Sequence, residues 1–164
     1  MRPRPDPVRQ GQESVWDYPR PAVAVPSTAH VRIEHRGAMI ADTLNPVRVL
    51  ETSHPPGWYL PPGDVDVALL RPSDRRSFCE WKGYATYWHM QVGDDLLRDV
   101  AWSYPDPTEP FAILRDHLAF YAAPLDLCSV NDEPVRPQPG GFYGGWVTSD
   151  LAGPFKGVPG SMGW

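Results

Sequence analysis

Proline sets the tightest limit on what this chain can fold into. There are 21 prolines in 164 residues, and each one fixes φ and removes a backbone donor, so long helices are excluded wherever they gather. Six precede Ser27 and five follow Glu133. That distribution predicts irregular arms over residues 1–29 and 131–164, flanking a single domain over 30–130. The length suits one core without disulfide or metal staples.

Within the domain, the dominant period is two. Val31-Arg32-Ile33-Glu34-His35 alternates apolar and polar, Gly37 supplies a turn, and Ala38-Met39-Ile40-Ala41-Asp42 resumes, which reads as a β-hairpin. Val47 to Glu51 reads as a third strand and Val65 to Leu70 as another, with a turn at Arg71-Pro72-Ser73-Asp74. The stretch from Tyr84 to Met90 alternates again and is followed by a hairpin turn at Gly93-Asp94-Asp95, before a strand from Leu96 to Tyr104. One helix start stands out, with Asp106 or Thr108 as N-cap, Pro110 in the first turn and Phe111, Leu114 and Leu118 at helical spacing. These signals predict a mainly β fold, a folded sheet or barrel with one short helix near 108–118.

The formal net charge of −5 argues against nucleic acid and against acidic membrane surfaces, because both need a basic face. No apolar run approaches the ~20 residues that span a bilayer. The opening MRPRPDPVRQ lacks the apolar segment of a secretory signal, so the expected location is cytoplasmic. Cys79 and Cys128 are expected as free thiols, and with no C-x-x-C knuckle to accompany His30, His35, His54, His89 or His117 no structural zinc site is expected. No metal and no cofactor is implied. The tail carries eight of the fourteen glycines together with Phe142, Tyr143, Trp146, Phe155 and Trp164. Such a tail should lay its rings on the domain or on a second subunit, which leaves a homodimer through the arms open.

Chemistry can gather at two bends. His54 begins the rigid His-Pro-Pro segment, and Cys79-x-x-Lys82-Gly83 precedes a strand. A thiol becomes a nucleophile beside positive charge, which Lys82 can supply, and His54 is the candidate base. Glu51, three residues before His54, is a candidate acid or base. Trp58, Tyr59, Trp81, Trp88, Trp102 and Tyr104 lie near these bends, and rings around one cation suit a flat or anionic small molecule. A structural reading competes at each point, since free cysteines are usually buried and barrel aromatics are usually core. The sequence therefore supports an enzyme using His54, Cys79, Lys82 and Glu51, a binding module using the same cleft, or a protein that self-associates through its arms.

Four motifs occur in one order: H-P-P-x-W-Y-x-P from His54, C-x-x-K-G-x-A-x-Y-W from Cys79 to Trp88, A-W-S-Y-P-D-P from Ala101 to Pro107, and A-F-Y at Ala119 to Tyr121. In this the chain resembles the bacterial and fungal family catalogued as domain of unknown function 427, and its arms look like the extensions of actinobacterial members. The resemblance implies a compact β architecture similar to the β-tent (Mss4-like) folds, without their paired C-x-x-C zinc knuckles. The family also carries a nucleotidyl-transfer label. Asp64-Val65-Asp66-Val67 fits the metal-binding half of that chemistry, but the upstream P-P-G-W-Y-L-P-P-G has no Gly-Ser turn to cradle a triphosphate. Nucleotidyl transfer is therefore not expected.

Overall fold

The computed structural model describes residues 2–164. Three open sheets form the body, and none closes into a barrel. The central sheet is antiparallel, in the order Ala119–Phe120, Asp95–Ser103, Gly83–Val92, Leu70–Cys79. A second antiparallel sheet runs Glu133–Pro134, Leu127–Val130, Val31–His35, Ala38–Thr43. The third joins Val23–Pro26, Val47–Leu50 and Gly57–Tyr59.

Local chemistry explains the hairpins. Arg36 and Gly37 both take positive φ, 50° and 75°, which is the two-residue turn whose twist matches its flanking strands. Three expectations need correction. Arg71 to Asp74 is not a turn but part of the strand Leu70–Cys79, bulged between Pro72 and Arg76. That strand is the sheet's edge, where a proline removes no needed donor. Val65 to Leu70 is not a strand; the 3₁₀ turns Pro62–Asp64 and Val67–Leu69 take its place. The helix near 108–118 shrinks to a kinked 3₁₀ segment, Glu109–Leu114, with Phe111 at φ −114° and ψ 19°. Leu118 instead exchanges backbone hydrogen bonds with Leu60, both at 2.8 Å.

Two large apolar clusters fill the body, and a third, smaller one of Val15, Trp16, Tyr18 and Leu151 lies where the arms meet it. Val31, Ile33, Ile40, Met90, Val100 and Phe120 fill the space between the second and central sheets. On the other face of the central sheet, Val47, Val49, Tyr59, Ala85, Tyr87, Trp102 and Leu114 pack toward the third sheet. Both arms dock on this body. Glu13–Ser14 pairs in parallel with Leu151–Ala152, and the Trp16 indole donates to the Pro154 carbonyl at 2.9 Å. Trp146 is almost wholly buried and donates its indole N–H to the Phe120 carbonyl at 3.0 Å.

Candidate ligand-binding cavity

A cavity of about 380 Å³ opens at the rim of the second cluster. Glu51, His54, Cys79 and Lys82 line it, together with Tyr59, Trp81, Trp102 and Tyr104. Its size falls in the range of small-molecule sites.

Two bends bring the polar groups there. At the end of the strand Val47–Leu50, Ser53 takes φ 75° and the His54 N–H bonds back to the Glu51 carbonyl at 3.0 Å. This tight turn sets His54 Nε2 at 3.5 Å from Glu51 Oε2. Pro55 and Pro56 then hold the chain extended into Gly57–Tyr59. The second bend is the hairpin turn between Leu70–Cys79 and Gly83–Val92. Thr108 pins it from outside, its N–H bonding the Lys82 carbonyl at 3.1 Å and its hydroxyl the Trp81 carbonyl at 2.6 Å.

Period-two geometry decides which aromatics reach the cavity, because neighbouring strand residues face opposite sides. Tyr59 lines it while Trp58 faces away, into a separate cleft bordered by Arg48 and Asn131. Trp88 is also off the cavity; it packs against the first cluster and donates to the Ser103 hydroxyl at 3.0 Å. Its neighbour Tyr87 takes the wall position. Trp102 is anchored by its indole N–H donating to the Tyr59 hydroxyl at 3.1 Å, with the two rings edge to face.

The C-terminal arm builds the opposite wall through Gln138, Phe142, Tyr143, Gly144, Gly145 and Lys156. Gly144 lies so close to Trp102 that a β-carbon there would collide with the indole. His54 packs edge-on against Tyr143, with centroids 4.8 Å apart. Gln138, only 3% exposed, donates to His54 Nδ1 at 3.0 Å. The tail's ring-rich glycine pattern announces an arm that docks; nothing in its sequence singles out Gln138.

The electrostatics are uneven. Burial works against the Lys82 charge, but Tyr59, Cys79 and Glu51 around it outweigh burial and raise its pKa, so it is an ammonium at neutral pH. Among the described residues no carboxylate pairs with it directly; it lies 5.6 Å from the Tyr104 ring centroid and 6.0 Å from that of Phe111. Burial pushes the Glu51 carboxyl up, yet His54, Lys82 and Arg20 hold it below its ordinary value, so it is a carboxylate. Burial raises Tyr104 and Tyr121, leaving both as neutral phenols.

Asp64 and Asp66 sit elsewhere. Asp64 ends a 3₁₀ turn and accepts from the Thr43 hydroxyl at 2.8 Å, and Asp66 is exposed on the next turn. Among the described residues no group of three His, Cys, Asp or Glu side chains is placed to hold a metal ion.

Residues 23–131 match the family described as a domain of unknown function, DUF427. The chain belongs to the DUF427 family. No match was found among curated proteins. The family segment supplies Glu51, His54, Cys79, Lys82, Trp102 and Tyr104 to the cavity, and the wall from Gln138 to Lys156 lies beyond it.

Proposed function

We propose that this DUF427 protein binds a small planar organic anion, with Lys82 holding the negative group and the rings holding the plane. The Lys82 ammonium, which among the described residues has no carboxylate in ion-pair contact, carries the reading inside its aromatic-walled cavity. A cation set among rings attracts an anionic ligand, and the side-chain partner it would exchange is the Cys79 thiol rather than a carboxylate. Trp81 and Trp102 provide the assay, since both line the cavity. Titration of their fluorescence should show benzoate binding more tightly than uncharged methyl benzoate, with the difference shrinking as salt rises. Equal affinity for acid and ester would discard the reading.

A second reading, an enzyme, is favoured by the Cys79 thiol sharing the cavity with Lys82. His54 does not serve it as a base, because its Nδ1 lone pair is already taken by Gln138. Thiol chemistry here would draw on the charge of Lys82 alone. Turnover of any anion that binds, lost in Cys79→Ala with binding retained, supports this second reading; turnover retained in that variant excludes it.

A further inference from the structure

The Gln138 amide is fixed on three sides. Its oxygen accepts from the Gly145 N–H at 3.0 Å, and its nitrogen donates to the Lys156 carbonyl at 2.9 Å and to His54 Nδ1 at 3.0 Å. A backbone N–H can only donate and a carbonyl can only accept, so the amide cannot turn over without losing both bonds. Nδ1 must therefore present its lone pair, and the proton of neutral His54 sits on Nε2. That N–H is only loosely engaged: Glu51 Oε2 is 3.5 Å away, beyond the ~2.7–3.2 Å of a well-formed bond. The carboxylate has acceptor capacity to spare, because each of its oxygens carries two lone pairs. A fixed donor and a fixed acceptor thus stand side by side on the lining of an aromatic cavity.

We infer that His54 Nε2–H and the Glu51 carboxylate together read the C=O/N–H edge of a planar heterocyclic anion, with Gln138 as the positioning residue that decides which of the two is the donor. The inference rests on the planar-anion reading and names the ligand class within it. The ring carbonyl accepts from His54, the adjacent ring N–H donates to Glu51, and the negative substituent meets Lys82. A ring blocked at nitrogen sets a methyl against the carboxylate and leaves its cavity-facing lone pairs without a donor, although Arg20 remains 3.5 Å from Oε2; a site built for a polar edge rejects close analogues in this way.

Calorimetric titration of the full chain with orotate, 1,3-dimethylorotate and benzoate tests this. All three are carboxylates on planar rings, and only orotate has the free edge; benzoate, whose carboxylate lies in the ring plane, controls for the twist that the N1-methyl of dimethylorotate imposes on its own. Orotate should bind about tenfold or more tightly than the other two, and Glu51→Met, which removes the acceptor, should abolish the advantage. Long-range proton–nitrogen spectra should show His54 as the Nε2–H tautomer, and Gln138→Glu, which offers an acceptor to Nδ1, should convert it to the Nδ1–H or doubly protonated form. Equal binding of the three acids overturns the edge inference and leaves the planar-anion reading standing. A wild-type Nδ1–H tautomer overturns the inference alone, whether or not the Gln138 variant folds. Binding by none of the three removes both.

Discussion

Replacing Lys82 with methionine separates binding from folding. The side chain keeps an unbranched apolar stem of four atoms and loses the ammonium at its end. In the folded protein that ammonium has no ion pair among the described residues, and its aromatic contacts are long, 5.6 Å to Tyr104 and 6.0 Å to Phe111. Cation–π attraction at such distances is worth about 0.5–1 kcal/mol. For a chain of this size that corresponds to a fall in Tm of roughly 2–4 °C at most, and the methionine's own burial offsets part of it. A planar anion, in contrast, loses a charge-assisted hydrogen bond of about 1.5–3 kcal/mol, equivalent to roughly 10- to 150-fold in Kd. Thermal unfolding and benzoate titration on the same preparation read both numbers. An unchanged Kd would refute the assignment of Lys82 as the anion contact. A Tm loss several times larger would show that the ammonium is structural.

Three further outcomes follow from particular contacts. Burial pushes the Cys128 thiol up to about 12 while Cys79 is half-buried on the cavity lining, so a thiol-disulfide reagent should label one cysteine in the native protein and two in denaturant; two fast native thiols would contradict it. Gly144→Ala should cost about 1–3 kcal/mol in urea unfolding, because Trp102 is held by Tyr59 and cannot retreat from the added β-carbon; a silent substitution would show that the arm does not pack there. Glu51 is held below its ordinary value of 4.5, burial opposing and His54, Lys82 and Arg20 prevailing, and Asp95 below 3.8 by its hydrogen bonds to His35 and Arg36. Because these carboxyls are more acidic folded than unfolded, their stabilisation is complete above the ordinary values and disappears as pH falls through the folded ones. Denaturation midpoints should drop over that acid range, and less steeply in Glu51→Gln and Asp95→Asn; parallel profiles for wild type and variants would exclude the two groups.

The parts of the fold that can be read from sequence are those whose cause is local. The hairpin Val31–His35 and Ala38–Thr43 combines period-two alternation with an Arg-Gly turn, and both signals lie within a dozen residues. The failures have distant causes. Pro72 looks like punctuation until its strand is known to be an edge. Phe111, Leu114 and Leu118 satisfy a helical period, yet Leu118 is drawn to Leu60, far along the chain, and no window around it reports that pairing. The bridge from Leu60 to Leu118 ends the helical segment early and lets Ala119–Phe120 join the central sheet.

The candidate site divides along the same line. His54 and Lys82 occupy bends marked by Pro-Pro and Gly, so their type and position can be read, whereas the choice of Tyr87 over Trp88 depends on which sheet face meets the third sheet. The arm adds a constraint that only packing reveals. A β-carbon at Gly145 would come within 2.6 Å of the Pro55 carbonyl oxygen and 2.7 Å of Gln138 Oε1, so backbone lies directly against the His-Pro-Pro bend. Glycine serves here for close approach rather than for flexibility. That approach brings the Gly145 N–H to the Gln138 amide, and through it fixes the proton on His54. The nitrogen of His54 that carries the proton is therefore set from a segment outside the family match, so a DUF427 chain with the same His54 and Glu51 but no such arm would be free to carry it on either nitrogen.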